Sequence, residues 1–177
     1  MKKHRVNSLL KVKRNATKRQ RIAVFALLAI LIVAVDQSTK FWAEANLDST
    51  SVPVIGELLQ FRLAYNNAAA FSIGLGATWI LTLISLTASV LLIIYGPRVK
   101  TMSWAVVAGF ALGGAAGNLI DRAFKAPGFL NGWVVDFIQI PFNFPIFNLA
   151  DTFLVSAVIL SILLTLRGDE IGGGRAK

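Results

Sequence analysis

The chain has no cysteine, and its one histidine is His4. No disulfide, thiol nucleophile or thiolate metal site can form, and a histidine metal cage or a Ser-His-Asp triad is excluded as well. Charge is scarce too. Only 15% of residues are Asp, Glu, Lys or Arg, where a soluble globular domain carries about 25%. Apolar residues fill the gap, at 55% of the 177 residues, and mean hydropathy is +0.65. These proportions describe a membrane protein of one compact domain.

The net charge is +9, with nine of the eighteen Lys/Arg residues in the first 21 positions, directly before an apolar run. A cytoplasmic flank facing anionic lipid has that layout, and nothing else in the chain supports a nucleic-acid partner. Four stretches approach the ~20 residues that a helix needs to cross the hydrocarbon core: 22–43, 78–95, 102–120 and 145–166. The expected fold is a membrane all-α, four-transmembrane-helix bundle with a basic cytoplasmic tail (1–21), a membrane domain (22–166) and a cytoplasmic C-terminal tail (167–177). The turn with Arg98 and Lys100 and the tail with Arg167, Arg175 and Lys177 go inside by the positive-inside rule. The connections 44–77 and 121–144 then face outward. A basic start followed by Ala43-Glu44-Ala45 imitates a cleavable signal peptide, but Asp36 and Lys40 just before the cut argue against removal.

The outer connections carry strand signals. Large apolar residues alternate over Leu59–Tyr65, Val52–Ile55 is a candidate partner, and Trp133–Ile138 is a second such run. The expectation is a small extracytoplasmic β-sheet built from segments near 50–72 and 130–140. Gly109, Gly113 and Gly117 repeat every four residues in the third span, which smooths one helix face for close packing.

Carboxylates inside a membrane are costly, so each needs a reason. The expected topology brings Asp36, Asp121, Asp136 and Asp151 to one level, the outer rim. Asp36 and Lys40 are spaced i,i+4 and can pair; a buried ion pair and direct chemistry both fit them. Asn118 stands i,i+3 from Asp121, and Asn148 i,i+3 from Asp151, so an amide can lie beside each acid. A structural polar contact suits Asp121. Arg122 adjoins Asp121 in sequence but points elsewhere on a helix, toward another carboxylate or a lipid headgroup. Asp136 and Asp151 have no basic residue within four positions and sit among apolar neighbours. Two such acids close together share a proton, and the pair can activate water. A Ser–Lys mechanism is disfavoured, because Ser38 and Lys40 lie on different sides of a helix.

Five motifs stand along the chain: Asp36-Gln37-Ser38-Thr39-Lys40, Asn66-Asn67-Ala68-Ala69-Ala70-Phe71, Gly113 to Arg122, Val135-Asp136-Phe137, and Phe147-Asn148-Leu149-Ala150-Asp151. In composition and order they resemble the bacterial signal peptidase II family of lipoprotein signal peptidases. The resemblance implies an aspartic endopeptidase of the bacterial inner membrane. Such an enzyme removes the signal peptide from prolipoproteins just before a diacylglyceryl-modified cysteine. It also implies that Asp136 and Asp151 are the catalytic dyad, and that Asp36, Lys40, Asn66, Asn118, Asp121, Arg122, Asn148 and Ala150 line or support the site. No metal or other cofactor is implied, and the expected partners are prolipoprotein substrates and membrane lipids, with the enzyme acting as a monomer. One departure is visible: Ala68 stands where the family's second motif usually has glycine.

Two other classes fit intramembrane acids. A proton- or ion-coupled transporter would spread charge through the membrane depth, whereas the inner halves of these spans carry none. A non-catalytic assembly factor would bind signal helices without turning them over.

Overall fold

The computed structural model describes residues 16–67 and 78–173; the first fifteen residues of the basic tail, Ala68 with its loop, and the basic end at Arg175 and Lys177 lie outside them. Among the described residues, four helices are each long and apolar enough to cross a membrane: α1 (Lys18–Asn46), α2 (Thr78–Tyr95), α3 (Met102–Phe124) and α4 (Leu149–Leu166). Between α1 and α2 come β1 (Val52–Ile55) and β2 (Leu59–Asn66), and β3 (Val134–Gln139) joins α3 to α4. A 3₁₀ turn over Gly96–Arg98 closes α2.

Helix ends follow their caps more closely than their hydropathy. Thr17 caps α1 in a reciprocal box with Gln20, so the helix starts in charged sequence ahead of the apolar run expected at 22–43 and reaches Asn46. The third helix also runs past the expected 120, to Phe124. The fourth does not begin at Pro145, as its apolar run suggests. Phe147 is held in extended pairing with Ile138, and the helix starts only where Asn148 accepts from the Asp151 N–H.

The central helix is α3, packed against all three others. In its most apolar stretch 56% of residues are buried, against 22% or less elsewhere. The glycines of α3, those of the stripe and Gly114 beside it, explain the fit. A Cβ at Gly113 would lie 2.6 Å from the Ile32 Cβ of α1, and one at Gly114 would lie 2.5 Å from the Ala150 carbonyl oxygen of α4. The outward surfaces of α1, α2 and α4 remain apolar and exposed, at Leu27, Ile30, Ile84, Leu91, Ile159 and Ile162 among others. A lipid environment stabilises such a surface; water does not.

The three strands form one antiparallel sheet in the order β1-β2-β3, with Ala64 opposite Asp136 and Asn66 opposite Val134. The sheet sits where α1 and α3 finish and α2 and α4 begin. At the opposite end Arg21 Nε donates to the Val99 carbonyl, Trp104 Nε1 to that of Asp169, and Lys100 N–H to that of Ile171. The segment after α4 therefore folds back over the turn between α2 and α3.

Candidate active site

Beneath the sheet, the ends of α1 and α3 and the start of α4 enclose a polar lattice within otherwise apolar packing. At its base is Lys40, fully buried. Its ammonium lies 2.8 Å from Asp36 Oδ2 and 3.0 Å from Asp121 Oδ2, and donates to Asn118 Oδ1 at 3.0 Å. Three charges withdrawn from water hold together only when paired and hydrogen-bonded, and each oxygen here has partners. Gln37, one helical turn earlier on α1, donates to Asp36 Oδ2, Asp121 Oδ1 and the Gly117 carbonyl.

The two supporting acids each reach past the lysine to a main-chain N–H. Asp36 Oδ1 accepts from Ala150 N at 2.9 Å, and Asp121 Oδ2 accepts from Val135 N at 3.0 Å. Ala150 and Val135 are the residues immediately before Asp151 and Asp136. One ion triad thus fixes the backbone that carries each of the other two acids. Ala150 is fully buried between this grip and Gly114 and Gly117, with no room for a larger side chain.

Asp136 comes from β3 and is 2% exposed; Asp151, in the first turn of α4, is half-buried. Asn66, diagonal to Asp136 on the same sheet face, donates to its Oδ2 at 3.0 Å, and Asn148 Nδ2 donates to its Oδ1 at 2.6 Å. Asn118 Nδ2 donates to Asp151 Oδ1 at 2.7 Å, and Asn148 N–H reaches Asp151 Oδ2 at 3.2 Å. The amide orientations follow from their other partners. An ammonium only donates, so Asn118 turns its oxygen to Lys40 and its NH₂ to Asp151. Asn148 turns its oxygen to the Asp151 N–H, which aims its NH₂ at Asp136 and Asn118 Oδ1.

Burial, and next the nearby charge of Asp151, push the Asp136 carboxyl up to about 7; the hydrogen bonds from Asn66 and Asn148 oppose that rise. Arg122 is 8% exposed and feels the negative charges of Asp136, Asp151 and Asp121, in that order. Its Nε and Nη1 have no hydrogen-bond partner among the described residues. Counting charges, Lys40 and Arg122 balance Asp36 and Asp121. The pair Asp136/Asp151 is left with one negative charge when it holds one proton.

All ten residues singled out in the sequence lie in this one region or on the elements that form it. Two expectations need correcting. Asn118 does not serve Asp121 at i,i+3; it crosses to Asp151 on α4, because Lys40 claims its oxygen. Asp136 and Asp151 lack basic partners in sequence but are not bare, since amides meet their carboxylate oxygens. Two contributors were missed. Gln37 gave no signal beyond its place within the first motif. Gly132 is needed because a Cβ there would collide with the Asp121 carbonyl, while its N–H donates to the Arg122 carbonyl.

Comparisons with known proteins bear on this geometry. A family model described as signal peptidase (SPase) II matches residues 28–167. The chain is 43% identical over 157 residues to a lipoprotein signal peptidase of Leifsonia xyli subsp. xyli, covering 88% of this chain and 73% of that one. It is likewise 43% identical over 152 residues to one from Bifidobacterium adolescentis, covering 85% and 80%. A solved structure described as a bacterial membrane enzyme superposes with a TM-score of 0.73 at 32% identity, covering 82% of this chain and 94% of that one.

Proposed function

Because this multi-pass bacterial membrane protein belongs to the signal peptidase II family, we propose that it is an aspartic endopeptidase that removes signal peptides from prolipoproteins, cutting before the diacylglyceryl-modified cysteine. Asp136 and Asp151 form its catalytic dyad. The observation that carries this reading is the pairing itself. Asp136 and Asp151 are held on separate elements by one set of amides, while the Lys40 ammonium is taken by Asp36 and Asp121 and not by either of them.

The deeper Asp136 keeps the shared proton, because burial opposes its ionisation. Asp151 lies in the first turn of α4, where backbone N–H groups favour an anion, and it deprotonates the attacking water. As the water oxygen bonds to the scissile carbonyl carbon, the Asp136 proton meets the developing oxyanion. Collapse of that intermediate breaks the C–N bond, and the amine leaves with the proton that Asp151 took from water. Arg122, with two guanidinium nitrogens free of partners among the described residues, has N–H groups left to donate to a substrate carbonyl oxygen. In this reading the substrate's signal helix enters sideways from the lipid with the cleavage site at the outer rim, and the termini are cytoplasmic.

The test is direct. Purified protein incubated with a diacylglyceryl-modified prolipoprotein should release the signal peptide and should leave the unlipidated form intact. Asp136→Asn and Asp151→Asn should each reduce turnover by roughly 10²–10⁴-fold or more, the share that a positioned acid or base supplies, while membrane insertion is unchanged. Normal processing by either variant removes the dyad assignment.

A further inference from the structure

On the face of the sheet opposite the dyad lies a cavity of about 260 Å³, lined by Glu44, Tyr65, Lys125, Ala126 and Trp133. Strand alternation separates the two sites: Asn66 points to Asp136, and its neighbour Tyr65 points the other way. We propose that this cavity seats the zwitterionic phosphoethanolamine headgroup of a bilayer phospholipid, with its amine on Glu44 and its phosphate on Lys125.

Position comes first. Glu44 stands in the last turn of α1, and Lys125 is the C-cap of α3. Both helices are membrane spans ending on the sheet side, so the pair lies where hydrocarbon gives way to headgroups. Charge comes second. Lys125 Nζ and Glu44 Oε2 are 2.5 Å apart, with side chains 25% and 28% exposed. The pair is neutral overall, so an anionic headgroup gains at the lysine and loses at the glutamate. A zwitterion satisfies both at once, each of its charges replacing one protein partner. A partly exposed ion pair is held weakly enough to exchange in this way. The walls are the third argument: Trp133 and Tyr65 are half-open to the surroundings and have an apolar ring with a polar tip, the side-chain chemistry of the membrane–water boundary. None of these residues belongs to the dyad's lattice, so the proposal stands or falls apart from the peptidase reading.

Native mass spectrometry of the intact protein in detergent, titrated with dioleoylphosphatidylethanolamine or dioleoylphosphatidylglycerol, tests it. The ethanolamine lipid should be retained roughly fivefold more strongly, the scale of one exchanged ion pair at partial exposure. Glu44→Gln with Lys125→Met should abolish that preference, and Glu44→Asp with Lys125→Arg should keep it. Unchanged melting temperatures establish that both double variants are folded. Equal retention of the two lipids by the parent protein overturns the proposal, and so does a preference that survives Glu44→Gln with Lys125→Met. Soluble glycerophosphoethanolamine should compete poorly; if it displaces the lipid at equal concentration, the site is one for a free phosphoamine and the assignment to a bilayer lipid fails.

Discussion

Asp136 titrates in the range where a bacterium lives, and that has consequences for both activity and stability. Its carboxyl is raised from the ordinary 3.8 to about 7, first by burial and then by the charge of Asp151. A group that binds its proton more tightly when folded contributes stability that is complete below its unfolded value and is lost as pH rises through the folded one. The window here runs from about 4 up to about 7. Asp136→Asn removes the titration, so its melting temperature relative to the parent should be higher at pH 8 than at pH 5. A thermal shift series across that range is the check, and a constant difference would show that the buried acid does not ionise. Cleavage should follow the same proton. In the proposed mechanism the dyad works with one proton, so turnover should decline above about pH 7 as that proton leaves. The apparent values belong to the pair, so the decline should be read from the whole rate profile.

At the scale of elements, the approach of α3 to its neighbours places the site. Gly114 lets α4 come close enough for Ala150 to meet Asp36, and its Cβ would stand 2.5 Å from the Ala150 carbonyl oxygen and 2.7 Å from Leu154 Cγ. Gly114→Val should therefore lower the melting temperature by the equivalent of roughly 1–3 kcal/mol, as overpacking does, and should reduce cleavage through displacement of Asp151. Gly128→Ala, where a Cβ meets nothing within 4 Å, should leave both near parent values. The four helices and three strands were legible in the chain because hydropathy length, charge asymmetry and alternation are local patterns. The carboxylates converge because the helices alternate in direction, which Asp36, Asp121 and Asp151 already imply by their places in the spans. The partner of Asn118 was not legible. Its i,i+3 spacing pointed to Asp121, but a lysine on α1 and an aspartate on α4 decide its orientation, and both contacts cross between helices. Gln37 escaped notice because a glutamine in a helix is unremarkable until its neighbours across the bundle are known. The true start of α4 was hidden by apolar sequence from Pro145 onward, since hydropathy does not register the pairing of Phe147 with Ile138.

For the whole molecule, orientation in the membrane follows from where the basic residues sit, and the absence of cysteine makes it simple to measure. Asn143 and Glu170 are exposed at opposite ends of the bundle. Single variants Asn143→Cys and Glu170→Cys, treated in intact cells with a membrane-impermeant maleimide, should label at 143 and not at 170 until the membrane is opened. The reverse pattern would place the dyad on the cytoplasmic side and remove the proposed access for secreted substrates. One further consequence follows from Asn148, whose side chain caps α4 and supplies an amide to Asp136 with the same group. Forming the last helix and aiming that amide are therefore a single event. A chain whose fourth span is not yet wound carries Asp136 and Asp151 but not the Asn148 amide set between them, so under the proposed reading cleavage waits for the finished helix.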